Sequence, residues 1–226
     1  MTRLFLISFL ILLNIGVYSQ ESLLQDSSFI YWTNNRIITF GDFQRIPDSS
    51  AIKLMTKYNV KSLTNVQIHC ILDYPKNKRD MKLLGEQWYF APVFCKKCSP
   101  IIEQDSIELK YALMYFDIAE YCTRVTRKKI VEFLNKNPGK GFIAAAFPRL
   151  TEETYKLMRE MFASFSKQVI DDKTPGSFEN WRDNVNKMLD NTMEFATQKK
   201  DCQRFINKKP FSDKYRVVYS LYGQNV

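Results

Sequence analysis

The clearest hydrophobic pattern in the chain is an alternation between Asn65 and Asp73. Apolar side chains occupy every second position, at Val66, Ile68, Cys70 and Leu72. The intervening positions include Gln67 and His69. A period of two residues is typical of a strand that turns one face to a core. The pattern therefore predicts a strand here, with His69 on its more polar face.

Further extended segments are predicted on both sides of this strand. We interpret residues 36–40 and 51–63 as extended, residues 81–94 as two strands that bend at Gly85, and residues 214–222 as a terminal strand or an extended tail. Aromatic and β-branched side chains favour strands, and glycine favours the bends between them. Together these segments predict a small, mostly antiparallel sheet.

The period changes to that of a helix after Asp105. One face of the predicted helix carries Ile107, Leu109, Leu113, Phe116, Ala119, Thr123, Ile130 and Leu134. Asp105 or Ser106 can cap the start of this long helix, and residues 137–139 end it. Two more helices are predicted, at residues 151–170 and 177–199. The expected fold is α+β: a small, mostly antiparallel sheet packed on a long central helix, with two further helices.

The first nineteen residues predict a cleavable signal peptide at 1–19. One basic residue, Arg3, precedes an apolar run from Leu4 to Leu13, and a small side chain at Ser19 precedes the expected cut. The run is too short for a comfortable membrane span, which takes about 20 residues. An uncleaved N-terminal anchor is the alternative. We therefore expect an exported protein, periplasmic or secreted.

Residues 20–226 have a suitable length for one domain. We expect the sheet and central helix within residues 36–134, a helical part at 151–199 and a C-terminal extension at 200–226. No segment after the leader is apolar enough to predict a membrane span. The net charge of +9 comes from scattered Lys and Arg residues, which indicates a solvated basic surface rather than a nucleic-acid site in an exported protein.

Five cysteines leave at least one thiol unpaired within the chain. An oxidising compartment favours disulfides, and Cys95 and Cys98 could close a tight loop. A structural zinc site would need a second pair of ligands, which the spacing does not offer. A thioredoxin-like redox role would need Cys95 at a helix start, whereas Ser99 and Pro100 favour a loop.

Two segments carry a resemblance to a known family. Residues 36–48 read RIITFGDFQRIPD, and residues 109–120, on the central helix, read LKYALMYFDIAE. They resemble a bacterial domain-of-unknown-function family described as secreted zinc-dependent proteases of the zincin type. In that family the helix carries His-Glu-x-x-His, then Phe-Asp-Ile-Ala-Glu and basic residues. Arg124 and Arg127 fall at the basic positions, and the likeness extends over residues 36–134.

Tyr111, Ala112 and Tyr115 stand where that pattern has His, Glu and His. Two His four apart reach one metal ion, and the Glu takes a proton from the metal-bound water. A phenol, with a pKa of about 10, is a poor zinc ligand, and alanine offers no acid or base. Residues 170–176, where the resemblance places a third His, contain none, and His69 is the single histidine of the chain. The resemblance therefore implies a relative without zinc, cofactor or catalytic residues.

The remaining side chains on this helix admit two interpretations each. Asp117 and Glu120 are three residues apart, so they could act as an acid–base pair. We favour ion pairs, because Arg124 lies at helical spacing from Glu120. Tyr111 and Tyr115 either fill a core or border an aromatic cleft in the place of the metal site.

Three functions follow as hypotheses. The first is an exported, non-catalytic relative of a secreted zinc protease that binds a peptide, a protein or an envelope component. Its cleft would hold an extended peptide along a sheet edge, near Tyr111 and Tyr115. The second is a hydrolase of altered, metal-independent mechanism that uses Asp117, Glu120, His69 or a cysteine. The third is a purely structural envelope protein.

Overall fold

One four-stranded antiparallel sheet and the helices around it make up residues 24–137 and 143–221, which the computed structural model describes. The fold class is α+β, as the sequence predicts. The predicted signal peptide, residues 1–19, lies outside the described residues. The strands are β1 Phe29–Tyr31, β2 Val66–Pro75, β3 Gln87–Cys95 and β4 Tyr215–Leu221.

The strands lie in the order β1-β3-β2-β4, and every neighbouring pair is antiparallel. β2 is the strand predicted from the alternating residues 65–73, and β4 is the terminal strand predicted for residues 214–222. Both predictions are confirmed. Because β4 pairs with β2 from Cys70 to Pro75, the last described part of the chain completes the sheet.

The helices cover both faces of this sheet. They are α1 Ser49–Tyr58, α2 Lys78–Leu84, α3 Ser106–Lys136, α4 Ile143–Phe165, α5 Ser177–Asp190 and α6 Lys199–Ile206. The helix α3 is the predicted central helix and has 31 residues. The Asp105 carboxylate caps it by accepting a hydrogen bond from the backbone N–H of Ile107 at 3.0 Å. A π-helix, Ser166–Asp171, continues α4.

Two segments predicted to be extended are not strands. Residues 51–63 were wrongly interpreted, because α1 occupies most of them. Asp48 caps this helix at the N–H of Ala51, and Ala51 and Met55, four residues apart, bury one face of it. Residues 36–40 pair with no strand and run into a 3₁₀ turn, Phe40–Asp42.

The other boundaries also differ from the prediction. The first residues of the predicted strand pair at 81–94 belong to α2, so only β3 is a strand, and Gly85 ends the helix with a φ of 62°. The predicted helix at residues 177–199 ends at Asp190. A loop with a 3₁₀ turn at Met193–Phe195 then leads to the separate helix α6.

Both faces of the sheet are buried, which corrects the expectation of a polar face at His69. On one face Ile68, Cys70 and Leu72 pack in the main core with α3 and α4. On the other face, a smaller core contains Phe205 of α6. His69 lies there at 0% exposure, with its ring centroid 4.6 Å from that of Phe29.

Burial lowers the pKa of His69 from 6.5 to about 4. The unfolded chain takes up a proton at the ordinary pKa of about 6.5, so protonation favours unfolding as the pH falls from 6.5 towards 4. We expect about 3 kcal/mol of stability to be lost over this window through His69 alone. Because the chain has one histidine, its imidazole NMR signals report the titration without ambiguity.

A His69→Leu variant is the control for this titration, because it should lose less stability between neutral and acid pH than the wild-type chain. Urea unfolding at both pH values measures that difference. A midpoint near 6.5 for the folded protein would contradict the assignment of His69 to a dry core.

Candidate functional site

Tyr111 and Tyr115 lie together in an aromatic cluster between α3, α4 and α5. The ring of Tyr115 packs edge-on against Phe162 and Phe165, at centroid distances of 4.9 and 5.1 Å. Tyr111 contacts Phe165 and Phe178, both at 6.0 Å. Both tyrosines are half-buried. The cluster therefore holds both rings in place while part of each remains accessible.

The accessible parts of these rings border a cleft of about 420 Å³. Val60 and Leu63, in the loop after α1, contribute to its wall, together with Ile170 of the π-helix. A second cavity of about 260 Å³ shares Val60, Tyr111 and Ile170 with the first, so the two are adjacent and we treat them as one groove. We call it the tyrosine groove. Both interpretations of the tyrosines thus hold in part, because the rings pack against helices and also line a groove.

The loop that faces the tyrosines is fixed by Glu108. This buried carboxylate accepts hydrogen bonds from the backbone N–H groups of Lys61 and Ser62, at 2.8 and 3.1 Å, and from the Ser62 hydroxyl at 2.6 Å. Three accepted hydrogen bonds compensate the burial of its charge. The groove therefore has a rigid wall opposite the helices.

The phenols in the groove are neutral hydrogen-bonding groups. Burial raises the pKa of both tyrosines, and Glu108 raises that of Tyr111 further. The Tyr115 hydroxyl lies 2.6 Å from the Ser166 hydroxyl, in the first turn of the π-helix. Ala112, which stands at the Glu position of the resemblance, is fully buried in the main core. The tyrosines thus offer stacking surfaces and hydroxyl groups, while Ala112 contributes packing alone.

Asp117 is buried among positively charged side chains. Its carboxylate accepts hydrogen bonds from the Trp32 indole N–H at 2.9 Å and from Arg36, and it forms an ion pair with Arg182 at 2.8 Å. Both guanidinium groups contact the same oxygen, Oδ2. Asp117 therefore ties the segment before α1 and the helix α5 to the central helix.

Glu120 has a similar structural position one turn further on. It accepts hydrogen bonds from Arg124 Nε at 2.7 Å, from the backbone N–H of Thr197 at 2.9 Å, and from the Thr197 hydroxyl at 2.5 Å. Arg124 in turn donates to the backbone carbonyl of Leu189 at 2.6 Å. The ion pair predicted from helical spacing is present, and it anchors the loop between α5 and α6.

Two further buried ion pairs extend this pattern. Arg127 donates to Asp201 at 3.1 Å and to the backbone carbonyl of Phe195 at 2.9 Å. Arg204 forms a bidentate ion pair with Asp73, in which its Nε and Nη2 atoms donate to the two carboxylate oxygens at 2.6 and 2.7 Å. These pairs fasten α6 to the central helix and to the sheet.

The remaining predicted site residues lie apart from the tyrosine groove. The described residues that line it do not include Asp117, Glu120 or His69. Cys95 and Cys98 form a disulfide at the end of β3. The other thiols, Cys70, Cys122 and Cys202, are free and buried, and burial raises their pKa values. The structure therefore gives no cysteine–histidine pair at the groove.

Several groove residues carry no signal in the sequence. Ser166 and Ile170 reach the tyrosines because the chain forms a π-helix there, and no local pattern predicts that turn.

The sequence also gives no signal for the partners of Asp117. Trp32 and Arg182 lie 85 and 65 residues away from it in sequence, so only the tertiary fold brings them together.

Within residues 24–137 and 143–221, no group of three or more His, Cys, Asp and Glu side chains is arranged to hold a metal ion. Nor does any helix of that part of the chain combine the length and the apolar character needed to cross a membrane.

Replacement of Asp117 by alanine should destabilise the fold by about 3 kcal/mol, because it leaves two partly buried guanidinium groups facing one another without their carboxylate. Urea unfolding followed by circular dichroism measures the loss. Asp183→Ala is the matched control, since Asp183 is exposed on α5 and should matter by less than about 0.5 kcal/mol. Equal stabilities of the two variants would show that the Asp117 contacts are not structural.

Comparison with known proteins adds no relative: no family model, no curated protein and no solved structure matches this chain. The resemblance to the secreted zinc-dependent proteases therefore stays a prediction from residues 36–48 and 109–120, and the function of the chain has to be inferred from its own geometry.

Proposed function

We propose that this chain is an exported, non-catalytic binding protein that holds a peptide segment of a protein or envelope component in the tyrosine groove. The observation that carries the proposal is that Tyr111 and Tyr115, the positions of the two His in the resemblance, line an open groove and present neutral phenol rings there.

The dimensions and surface of the groove suit apolar or aromatic side chains of a peptide. Its larger part, about 420 Å³, falls in the range of ligand-binding clefts, about 300–1,000 Å³. Aromatic rings that are already fixed by packing bind without losing much side-chain freedom. The aromatic contacts of Tyr111 and Tyr115 meet this condition.

Polar groups at the groove give a bound peptide an orientation. The hydroxyl pair of Tyr115 and Ser166 supplies hydrogen-bonding groups, and the exposed carboxylate of Asp171 lies at the same opening. A peptide with an apolar or aromatic anchor next to a Lys or Arg side chain fits this arrangement. The groove is bordered by helices and a loop and by neither edge strand, β1 or β4, so we infer side-chain docking rather than strand addition.

A binding role is favoured over hydrolysis by the contacts of the acidic side chains. Glu120 accepts three hydrogen bonds, from Arg124 and Thr197. Asp117 accepts two hydrogen bonds and forms an ion pair with Arg182. A general base must reach a substrate proton, and these oxygens are buried and already occupied. The metal-independent hydrolase and the purely structural envelope protein remain the outcomes against which the proposal is tested.

The proposed export rests on the leader pattern at residues 1–19 and is supported by the disulfide of Cys95 and Cys98. Disulfides persist in oxidising compartments such as the periplasm and the extracellular space. The disulfide joins Cys95, the last residue of β3 and the sheet partner of Phe29 in β1, to Cys98 in the 3₁₀ turn that follows. It therefore belongs to the folded core of the sheet edge and not to a mobile tail.

An Ala163→Trp variant should block the groove. Ala163 is exposed on α4 and lines the cleft, so an indole there would fill the space without disturbing the core. Peptides selected from a random library displayed on phage should bind the wild-type protein, and fluorescence polarisation should show at least about tenfold weaker binding to the variant, which corresponds to about 1.4 kcal/mol.

The matched control for this experiment is Ala145→Trp. Ala145 is an exposed alanine on the same helix but lies outside the groove, so its replacement should leave peptide binding unchanged. Failure to enrich any peptide, or the same loss in both variants, would overturn the proposal.

The purified protein should contain much less than one zinc ion per chain, because phenols at positions 111 and 115 bind zinc poorly. It should also leave casein and the selected peptides uncleaved, with or without a chelator. Stoichiometric zinc by mass spectrometry would refute the non-catalytic assignment. Cleavage that a chelator does not affect but that Glu120→Gln abolishes would favour the hydrolase instead.

A further inference from the structure

A second cleft, of about 370 Å³, opens beside Trp32. Its walls include Asn34, Arg36 and Arg124 on one side and Asn186 and Leu189 of α5 on the other. It shares no residue with the tyrosine groove. We call it the arginine cleft.

The charged cluster beneath the arginine cleft carries more positive than negative charge, although one of its members, Arg182, does not line the cleft itself. Arg36 and Arg182 both bond to one oxygen of Asp117, while Arg124 pairs with Glu120. Three guanidinium groups therefore face two buried carboxylates. A third carboxylate, Asp190, lines the cleft but is exposed at its rim, where water screens its charge. The surplus of positive charge lies in the less solvated interior, where electrostatic interactions are stronger.

The two arginines that share Asp117 also have unused donors. Arg36 Nε, Arg182 Nε and Arg182 Nη2 are shielded from solvent and have no acceptor among the described residues. The side chains themselves are partly open, at 19% and 26% exposure. Buried donors without an acceptor are unfavourable, so an additional acceptor at this point would be stabilising.

The surrounding side chains hold the guanidinium groups in place. Arg36 and Arg124 lie over the Trp32 ring, at 4.9 and 5.1 Å from its centroid. Cation–π contacts of this kind fix the direction of the donors. Asn34 and Asn186 add amide groups at the opening.

We propose that the arginine cleft is a binding site for a small oxyanion, a carboxylate or a phosphate group carried by a small molecule. The fork of N–H donors on a guanidinium matches both groups. The anion would bind at Arg36, which lines the cleft and has an unused Nε donor, and Asn34 and Asn186 would contact the rest of the molecule. Arg182 does not line the cleft and would contribute its positive charge. This site is independent of peptide binding in the tyrosine groove.

An NMR titration tests the proposal. The Trp32 indole N–H, held by Asp117 at 2.9 Å, is a reporter at the base of the cleft. Sodium phosphate and sodium succinate are titrated separately at constant ionic strength, with sodium chloride as the reference salt. We expect a saturable shift of the Trp32 signal with at least one of the two anions and no saturation with chloride, while the Trp88 signal stays in place. Saturation with phosphate alone or with succinate alone identifies the class of ligand.

Two variants on α5 make the test specific. Asn186→Glu places a negative charge at the cleft without removing any arginine, and should weaken anion binding at least tenfold. Asn184→Glu adds the same charge on the same helix, at an exposed position outside the cleft, and should leave binding unchanged. Absence of a saturable shift with both anions, or equal affinities in the two variants, would overturn the proposal.

Discussion

Buried charge on the central helix is the constraint on which the rest of the structure depends. Asp117, Glu120, Arg124 and Arg127 all lie at 5% exposure or less on α3. An unpaired charge at such a position costs several kcal/mol, so each of them is paired. Glu120 and Arg124 pair with each other, while Asp117 and Arg127 pair with residues of α5 and α6. The same charged groups also bind irregular segments, since the stretch around Trp32 and the loop around Thr197 are both held by hydrogen bonds to this helix. The charges on one helix thus fix two of the irregular segments and two of the other helices.

The sequence predicts the elements whose pattern arises from burial on one side. β2, α3 and β4 were identified because their periodicity, caps or β-branched content are local properties. α1 was missed because its outward face carries Ile52 and Leu54, which are 45% exposed and hide the helical spacing of Ala51 and Met55. The polar face expected at His69 was wrong for a different reason. A separate helix, α6, covers it, and no pattern within β2 indicates that cover.

The candidate sites show the same division between local and tertiary information. The tyrosines at positions 111 and 115 could be identified from the helix alone, and so could the ion pair of Glu120 with Arg124. The groove that the tyrosines border could not, because its opposite wall comes from the loop after α1 and from the π-helix. The arginine cleft depends even more on the fold, since Arg36, Arg124 and Asn186 come from three separate parts of the chain.

The π-helix at Ser166–Asp171 determines which side chains reach the groove. A π turn accommodates one residue more than an α turn, so every side chain after it is rotated relative to a regular continuation of α4. Ile170 and Asp171 thereby border the larger part of the groove, while Val169 packs in the core and also lines the smaller part. The length of this segment therefore matters as much as its composition. Two chains that differ by a single inserted residue at this point would share the fold and still present different walls to a ligand.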